Sequence, residues 1–311
     1  RLWSWQAFAQ GAEVVSYFRW RQVPYAQEQM HAALNRPDNV LDRGGEEARR
    51  VAEELAAMAL EPAAKAPVAL VVDLEMEWMI RFLPQSREFQ YKTILLGWYM
   101  ALRGLGLDVD VVPPGGDLSG YKLVVVPTLG TVTEALLQQL RAAEGVVLYG
   151  PRTGWKTADF AIPANLAPGL LQELLPLKVV RVETMRPELT VPVTGAVAGE
   201  ATLWREFIET DLHPLARFAD GEGAFYAAGR HHYLAGYPDA ALLAAVIGHV
   251  VREARLTTAA LPRGLRLQRR GALTFALNFG PDTVEAPAPA NAVFVLGGRQ
   301  VKPQDLAVWR A

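Results

Sequence analysis

The stretch KLVVVPTLGTVTEALLQQLRAAEGVVLYG, residues 122–150, decides the fold. Two β-branched runs, "KLVVVPT" (122–128) and "GVVLYG" (145–150), flank a segment over 133–143 with helical spacing. Thr131 and Glu134 have the spacing of a capping box at the start of that helix. Outward from it, "VALVVD" (68–73) and "LDVDVV" (107–112) repeat the strand pattern, and a further helix is expected near 88–104. Such alternation is the pattern of an open α/β sheet. The region extends from 66 to about 255 through "PGLLQELL", the strand-like "LKVVRVET", the hairpin-like "AFYAAGRHHYLAGY" and the apolar helix "DAALLAAVIGHVVREA".

Two shorter regions flank it. Residues 1–62 read helix, strand, loop, helix: Leu2, Trp5, Phe8 and Ala9 share a helical face, Gly11 stops the helix, and "EVVSYFRW" follows as an apolar strand. A loop with Pro24, Pro37 and Gly44-Gly45 leads into the amphipathic "EEARRVAEELAAMAL". A single parallel strand cannot cover both its faces, so this α-β-α piece needs neighbours, and Trp3, Trp5, Phe8, Tyr17, Phe18 and Trp20 are expected to lack a complete core. From 258 to 311, "RGLRLQRRGALTFALNFG" alternates as a hairpin, and "NAVFVLGGRQV" and "DLAVWR" continue a small antiparallel β domain.

Composition narrows the function. The 311 residues carry a net charge of −2 with 51% hydrophobic residues, so no charge excess points to nucleic acid or an anionic membrane, and a small neutral ligand fits better. No apolar run approaches a membrane span, and the expected location is the cytoplasm. With no cysteine, disulfides, thiolate metal sites and cysteine nucleophiles are excluded within these residues. No cofactor motif is recognised, and no metal is expected.

The pieces "RLWSWQAFAQGAEVVSYFRWRQVPYAQEQMHAAL" (1–34) and "VVLYGPRTGWKT" (146–157) resemble segments of the family 42 glycoside hydrolases, the β-galactosidases. The likeness runs the length of the chain in domain order. It implies a fold of three parts: the C-terminal end of a (β/α)8 TIM barrel (1–62), a flavodoxin-like trimerisation domain related to glutamine amidotransferases but lacking their cysteine (66–255), and a small antiparallel β domain (258–311). It also implies that residues 1–62 begin just before the last barrel strand and that both catalytic glutamates lie on earlier strands, so no position here inherits either catalytic role. The expected partners are therefore a galactoside, the missing N-terminal barrel portion and two further copies in a homotrimer. The isolated chain is expected to be inactive. A non-catalytic oligomerisation or sugar-binding module derived from such an enzyme is the rival reading.

The same likeness places Glu28 and His31, with Tyr25 on the same loop, against the hydroxyls of a galactose ring. The loop would leave the C-terminal face of the barrel, where barrel active sites sit. By spacing alone, Glu28 and His31 read as an i,i+3 pair on a helix surface, and Arg19, Trp20 and Arg21 as barrel-wall packing. Three other motifs draw attention. "DLEMEW" (73–78) puts three acids just after the first strand of the middle domain, where such sheets bind ligands, but reads as a solvated loop or subunit contact. His231 and His232 invite a metal reading, yet adjacent strand residues point to opposite faces. "YGPRTGWKT" is basic and glycine-bounded, and reads as a structural loop rather than an anion site. Trp78, Met79, Phe82 and Trp98 are expected to be exposed at the trimer contact.

Overall fold

In the computed structural model, which describes residues 1–310, the shared face of Leu2, Trp5, Phe8 and Ala9 forms helix α1 (Leu2–Ala9). Gly11, at φ +105°, takes the turn that ends it, in a region that side chains with a Cβ avoid. Helix α2 (Arg43–Ala56) begins at Asp42, whose carboxylate accepts from the Arg43 N–H. The strand expected over "EVVSYFRW" is not formed. Among the described residues, backbone pairing in this stretch is confined to Arg19, Trp20 and Gln22 with Leu34 and Asn35, and amounts to one parallel bridge between Arg21 and Asn35. A strand exists only through the hydrogen bonds of its neighbours, so an apolar run without flanking strands forms none.

Residues 66–258 form a compact unit of their own. Its first half is β1 (Val68–Val71), α3 (Leu74–Phe82), α4 (Tyr91–Gly104), β2 (Val109–Val112), β3 (Leu123–Val126), α5 (Glu134–Ala142) and β4 (Val146–Tyr149). Its second half is β5 (Lys178–Thr184), β6 (Thr190–Gly195), β7 (Gly199–Glu209), β8 (Ala216–Phe218), β9 (Gly223–Ala228), β10 (His231–Leu234), β11 (Gly236–Pro238) and α6 (Ala240–Glu253). The strands make one mixed sheet of 11. Its parallel part runs β2-β1-β3-β4-β10, and antiparallel pairing continues it through β9, β8 and β6 to β7, which also pairs with β5 and β11. The parallel strands have the order of doubly wound flavodoxin-like sheets, in which the chain reverses direction across the sheet between β1 and β3. β1, β3 and β4 are buried along their whole length, and Ile94, Trp98, Leu136, Leu140, Val246 and Val250 from the helices complete the core.

Three expectations in this unit are corrected. The cap of α5 is Thr133, whose hydroxyl accepts from the Leu136 N–H at 3.2 Å, while Thr131 donates to the Thr157 carbonyl. An Ncap side chain reaches the N–H three residues on, and the helix starts two residues later than the capping-box spacing places it. "DLEMEW" is not a loop: Asp73 caps α3 by accepting from the Glu75 N–H. Finally, Met79 and Trp98 are buried in the core, and of the four residues expected at the surface only Trp78 and Phe82 are exposed.

The chain then adds β12 (Leu265–Arg270), β13 (Leu273–Asn278), β14 (Val284–Glu285), β15 (Val293–Leu296), β16 (Gln300–Val301) and β17 (Asp305–Arg310). β12, β13, β17 and β15 form an antiparallel sheet, and β14 pairs with β16. Residues 1–65 and 259–310 make one compact unit. Leu2, Trp5, Phe8 and Val51 share a core with Leu273, Phe275, Leu277, Leu306 and Val308. Trp5 and Phe8 therefore have the core that residues 1–62 by themselves could not supply, because one face of the C-terminal sheet receives α1. Among the described residues, no helix is long and apolar enough to cross a membrane.

Candidate functional site

The loop bearing the sugar-contact candidates is tied at its base by a short ribbon. The Leu34 and Asn35 N–H groups donate to the Arg19 and Trp20 carbonyls, Gln22 N–H donates to the Asn35 carbonyl, and the Asn35 side-chain amide adds a second bond to Trp20. Inside the loop, Gln22 Nε2 donates to the Gln29 carbonyl, and Gln29 Nε2 donates to that of Ala26. These bonds brace a stretch with no regular element, whose residues 24–32 all face solvent.

Glu28 and His31 are joined by a turn in which the His31 N–H donates to the Glu28 carbonyl at 3.1 Å. They are not an i,i+3 pair on a helix. Glu28 sits at φ +63° and Ala26 at φ +67°, left-handed values at which a helix cannot run. Tyr25 lies on the same loop with its ring exposed. The Glu28 carboxylate pairs with the Arg19 guanidinium, a partner that strand alternation did not assign to it. Arg21 instead donates to Asn39 Oδ1 at 3.0 Å, and Trp20 projects into solvent. A carboxylate accepts hydrogen bonds from neighbouring hydroxyls, and an imidazole donates or accepts. The arrangement suits a polyhydroxylated neutral ligand.

The other candidates resolve differently. The end of β1 next to β3, where sheets of this order bind ligands, is filled by protein: a Cβ on Gly130 would lie 2.1 Å from the Met79 sulfur and 3.3 Å from that of Met76. In "YGPRTGWKT", Arg152 is buried with its guanidinium 4.0, 4.9 and 5.1 Å from the ring centres of Trp155, Phe89 and Trp204. Burial pushes it down to about 10, against the opposing pull of Glu206. The Glu206 carboxylate accepts from the Arg152 backbone N–H, Trp204 Nε1 and the Tyr233 hydroxyl at 2.8, 3.1 and 2.6 Å, and burial raises its pKa despite these bonds. This closed polar interior holds the loop after β4 to the sheet.

His231 and His232 do point to opposite faces. His231 Nδ1 meets the Tyr149 hydroxyl at 3.1 Å, while His232 turns toward α6. Burial pushes His231 down to about 4 and His232 below its ordinary value.

Comparison with known proteins covers the chain from end to end. Residues 1–58 match the β-galactosidase family, residues 66–257 the β-galactosidase trimerisation domain, and residues 264–311 the β-galactosidase C-terminal domain. The β-galactosidase BgaA of a Thermus species is 56% identical over 310 residues, which are 99% of this chain and 48% of that protein. The β-galactosidase Bga of Halorubrum lacusprofundi is 34% identical over 99% of this chain and 46% of its own length. The chain thus spans about half the length of the curated relatives it matches. The crystal structure of a β-galactosidase from the psychrophilic Marinomonas ef1 superposes with a TM-score of 0.94 at 40% identity, over 99% of this chain and 49% of that one. With its trimerisation-domain match alone covering more than half of its residues, the chain belongs to the family 42 glycoside hydrolases, the β-galactosidase family.

Proposed function

We propose that the chain is the C-terminal portion of a retaining β-galactosidase and supplies galactose-positioning residues and the trimer interface, while the two catalytic glutamates lie on barrel strands outside it. The observation that carries this reading is the co-linear match of three β-galactosidase family domains over one chain. In the complete enzyme, residues 1–62 would contribute the last barrel strand and helix, 66–255 the trimerisation domain and 258–311 the small β domain. Cleavage would use two carboxylates about 5–5.5 Å apart, one as nucleophile and one as acid/base, through a covalent glycosyl intermediate. Glu28 would accept from adjacent galactose hydroxyls, oriented by Arg19, with His31 and Tyr25 completing the polar rim. The trimer contact would include α3, where Leu74, Trp78 and Phe82 stand exposed at helical spacing along one stripe.

The test is hydrolysis of o-nitrophenyl-galactoside. The purified 311-residue chain is expected to turn over nothing, and addition of the N-terminal barrel portion to restore activity; appreciable turnover by the chain alone would show that the catalytic groups are misassigned. In the complete enzyme, Glu28→Ala is expected to remove a charge-assisted hydrogen bond and lower kcat/KM by about 1.5–3 kcal/mol of transition-state binding, with the fold intact. His31→Ala is an independent check on the same loop. Unchanged kcat/KM in both variants would remove these residues from the sugar site.

A further inference from the structure

Three potential metal ligands converge between β10 and α6. His249 and Glu253 occupy positions i and i+4 of α6 and so share one face of the helix, toward which His232 projects from the strand. His232 Nε2 lies 3.0 Å from Glu253 Oε2, His249 Nε2 lies 4.0 Å from the same oxygen, and the three donor atoms all fall within 4.8 Å of one another. A tetrahedral ion bound at about 2.0–2.2 Å places its ligands about 3.4 Å apart, so small side-chain rotations close the set. Those rotations are free where they are needed. The His232 side chain is 2% exposed and fixed, whereas His249 and Glu253 are 23% and 40% exposed and leave room for a water as the fourth ligand.

The surroundings orient the ligands. The Phe225 ring stacks on His232 with centroids 5.7 Å apart and meets His249 edge-on at 5.5 Å. His232 Nδ1 faces the Arg230 carbonyl at 3.3 Å, the outer-shell contact that fixes the tautomer of a metal-binding imidazole. Both ring nitrogens of His232 face oxygens, Arg230 O on one side and Glu253 Oε2 on the other. An imidazole that donates from Nδ1 to a carbonyl offers its Nε2 lone pair to a cation held between it and the carboxylate.

We propose that His232, His249 and Glu253 bind one divalent transition-metal ion of the zinc class, which ties the end of the parallel sheet to the last turn of α6. Two imidazoles and one carboxylate favour zinc, cobalt or nickel over magnesium or calcium, which take oxygen-rich sets. The site lies within the unit of residues 66–258, and its role is to hold strand to helix.

The experiment uses the full 311-residue chain without a histidine tag, stripped with a chelator and titrated with ZnCl2 and CoCl2. Calorimetry is expected to give one ion per chain, and the cobalt form to show the intense visible d–d bands of four-coordination. Zinc at a hundredfold excess over its Kd should raise Tm by about 5 °C. His249→Ala and Glu253→Gln, both partly exposed and compatible with folding, should weaken binding about 100-fold or more and abolish the cobalt bands. His213→Ala, altering an exposed histidine elsewhere, should leave both unchanged. No ion uptake by the wild-type chain would assign the cluster to a metal-free His232–Glu253 ion pair and overturn the proposal. Equal uptake by the His249→Ala and Glu253→Gln variants would overturn it as well.

Discussion

Trp5 and Trp20 belong to the same N-terminal segment, yet Trp5 has no exposed surface and Trp20 keeps 73% of its own. Their side chains are identical, so hydrophobicity does not separate them. What separates them is the supply of partners. α1 lays Trp5 against Phe8 and Phe275 with ring centroids 6.0 Å away in each case, and the indole N–H donates to Glu54 at 2.7 Å. Trp20 stands beside an apolar run that has no strand alongside it, together with exposed Val14 and Phe18. Clustered exposed apolar residues of this kind mark an interaction surface, and on the proposed reading the rest of the barrel covers it.

The comparison is open to direct test. Trp5→Ala empties a packed site and should cost about 3–5 kcal/mol, read as an earlier unfolding midpoint and lost hydrogen-exchange protection in α1, β13 and β17. Should Trp20→Ala destabilise the same chain equally, the contrast fails; the expected change is within about 0.5 kcal/mol. The unit of residues 66–258 has its own core and should not register Trp5→Ala. It should respond instead to Glu206→Gln, which keeps the volume but turns an amide nitrogen toward one of three buried donors, at about 1–3 kcal/mol by denaturant unfolding. Protection lost in α1 after that substitution would show that the two units do not unfold separately. The smallest effect concerns a single cap: Thr133→Ala should cost about 1 kcal/mol and Thr131→Ala much less, and the reverse order would return the start of α5 to the capping-box position.

How much could be read beforehand follows the range of the interactions involved. The strands "VALVVD", "KLVVVPT" and "GVVLYG" were legible because a strand buried on both faces is apolar at every position. The helices α4 and α6 were legible through their periodicity. Met79 and Trp98 were misplaced because both are apolar residues on helices that also carry exposed apolar side chains, and only packing shows which stripe meets the sheet. For the loop of residues 22–34, the family resemblance rather than local spacing singled out Glu28, His31 and Tyr25, while the Arg19 partner and the left-handed turn at Glu28 depend on chain reversal between residues 22 and 34. His249 and Glu253 left a signal in their i,i+4 spacing, but nothing local joined them to His232.

By itself, the sequence determined the α/β character of the central region, the antiparallel character of the C-terminal strands and the chemistry on offer in the loop, since all three rest on local periodicity and residue type. Tertiary structure alone decided that α1 shares a core with strands from the far end of the chain, that "EVVSYFRW" forms no strand, and that His232 meets α6. The physical reason is that burial, strand pairing and ligand convergence are properties of two surfaces at once, and a linear pattern describes only one of them.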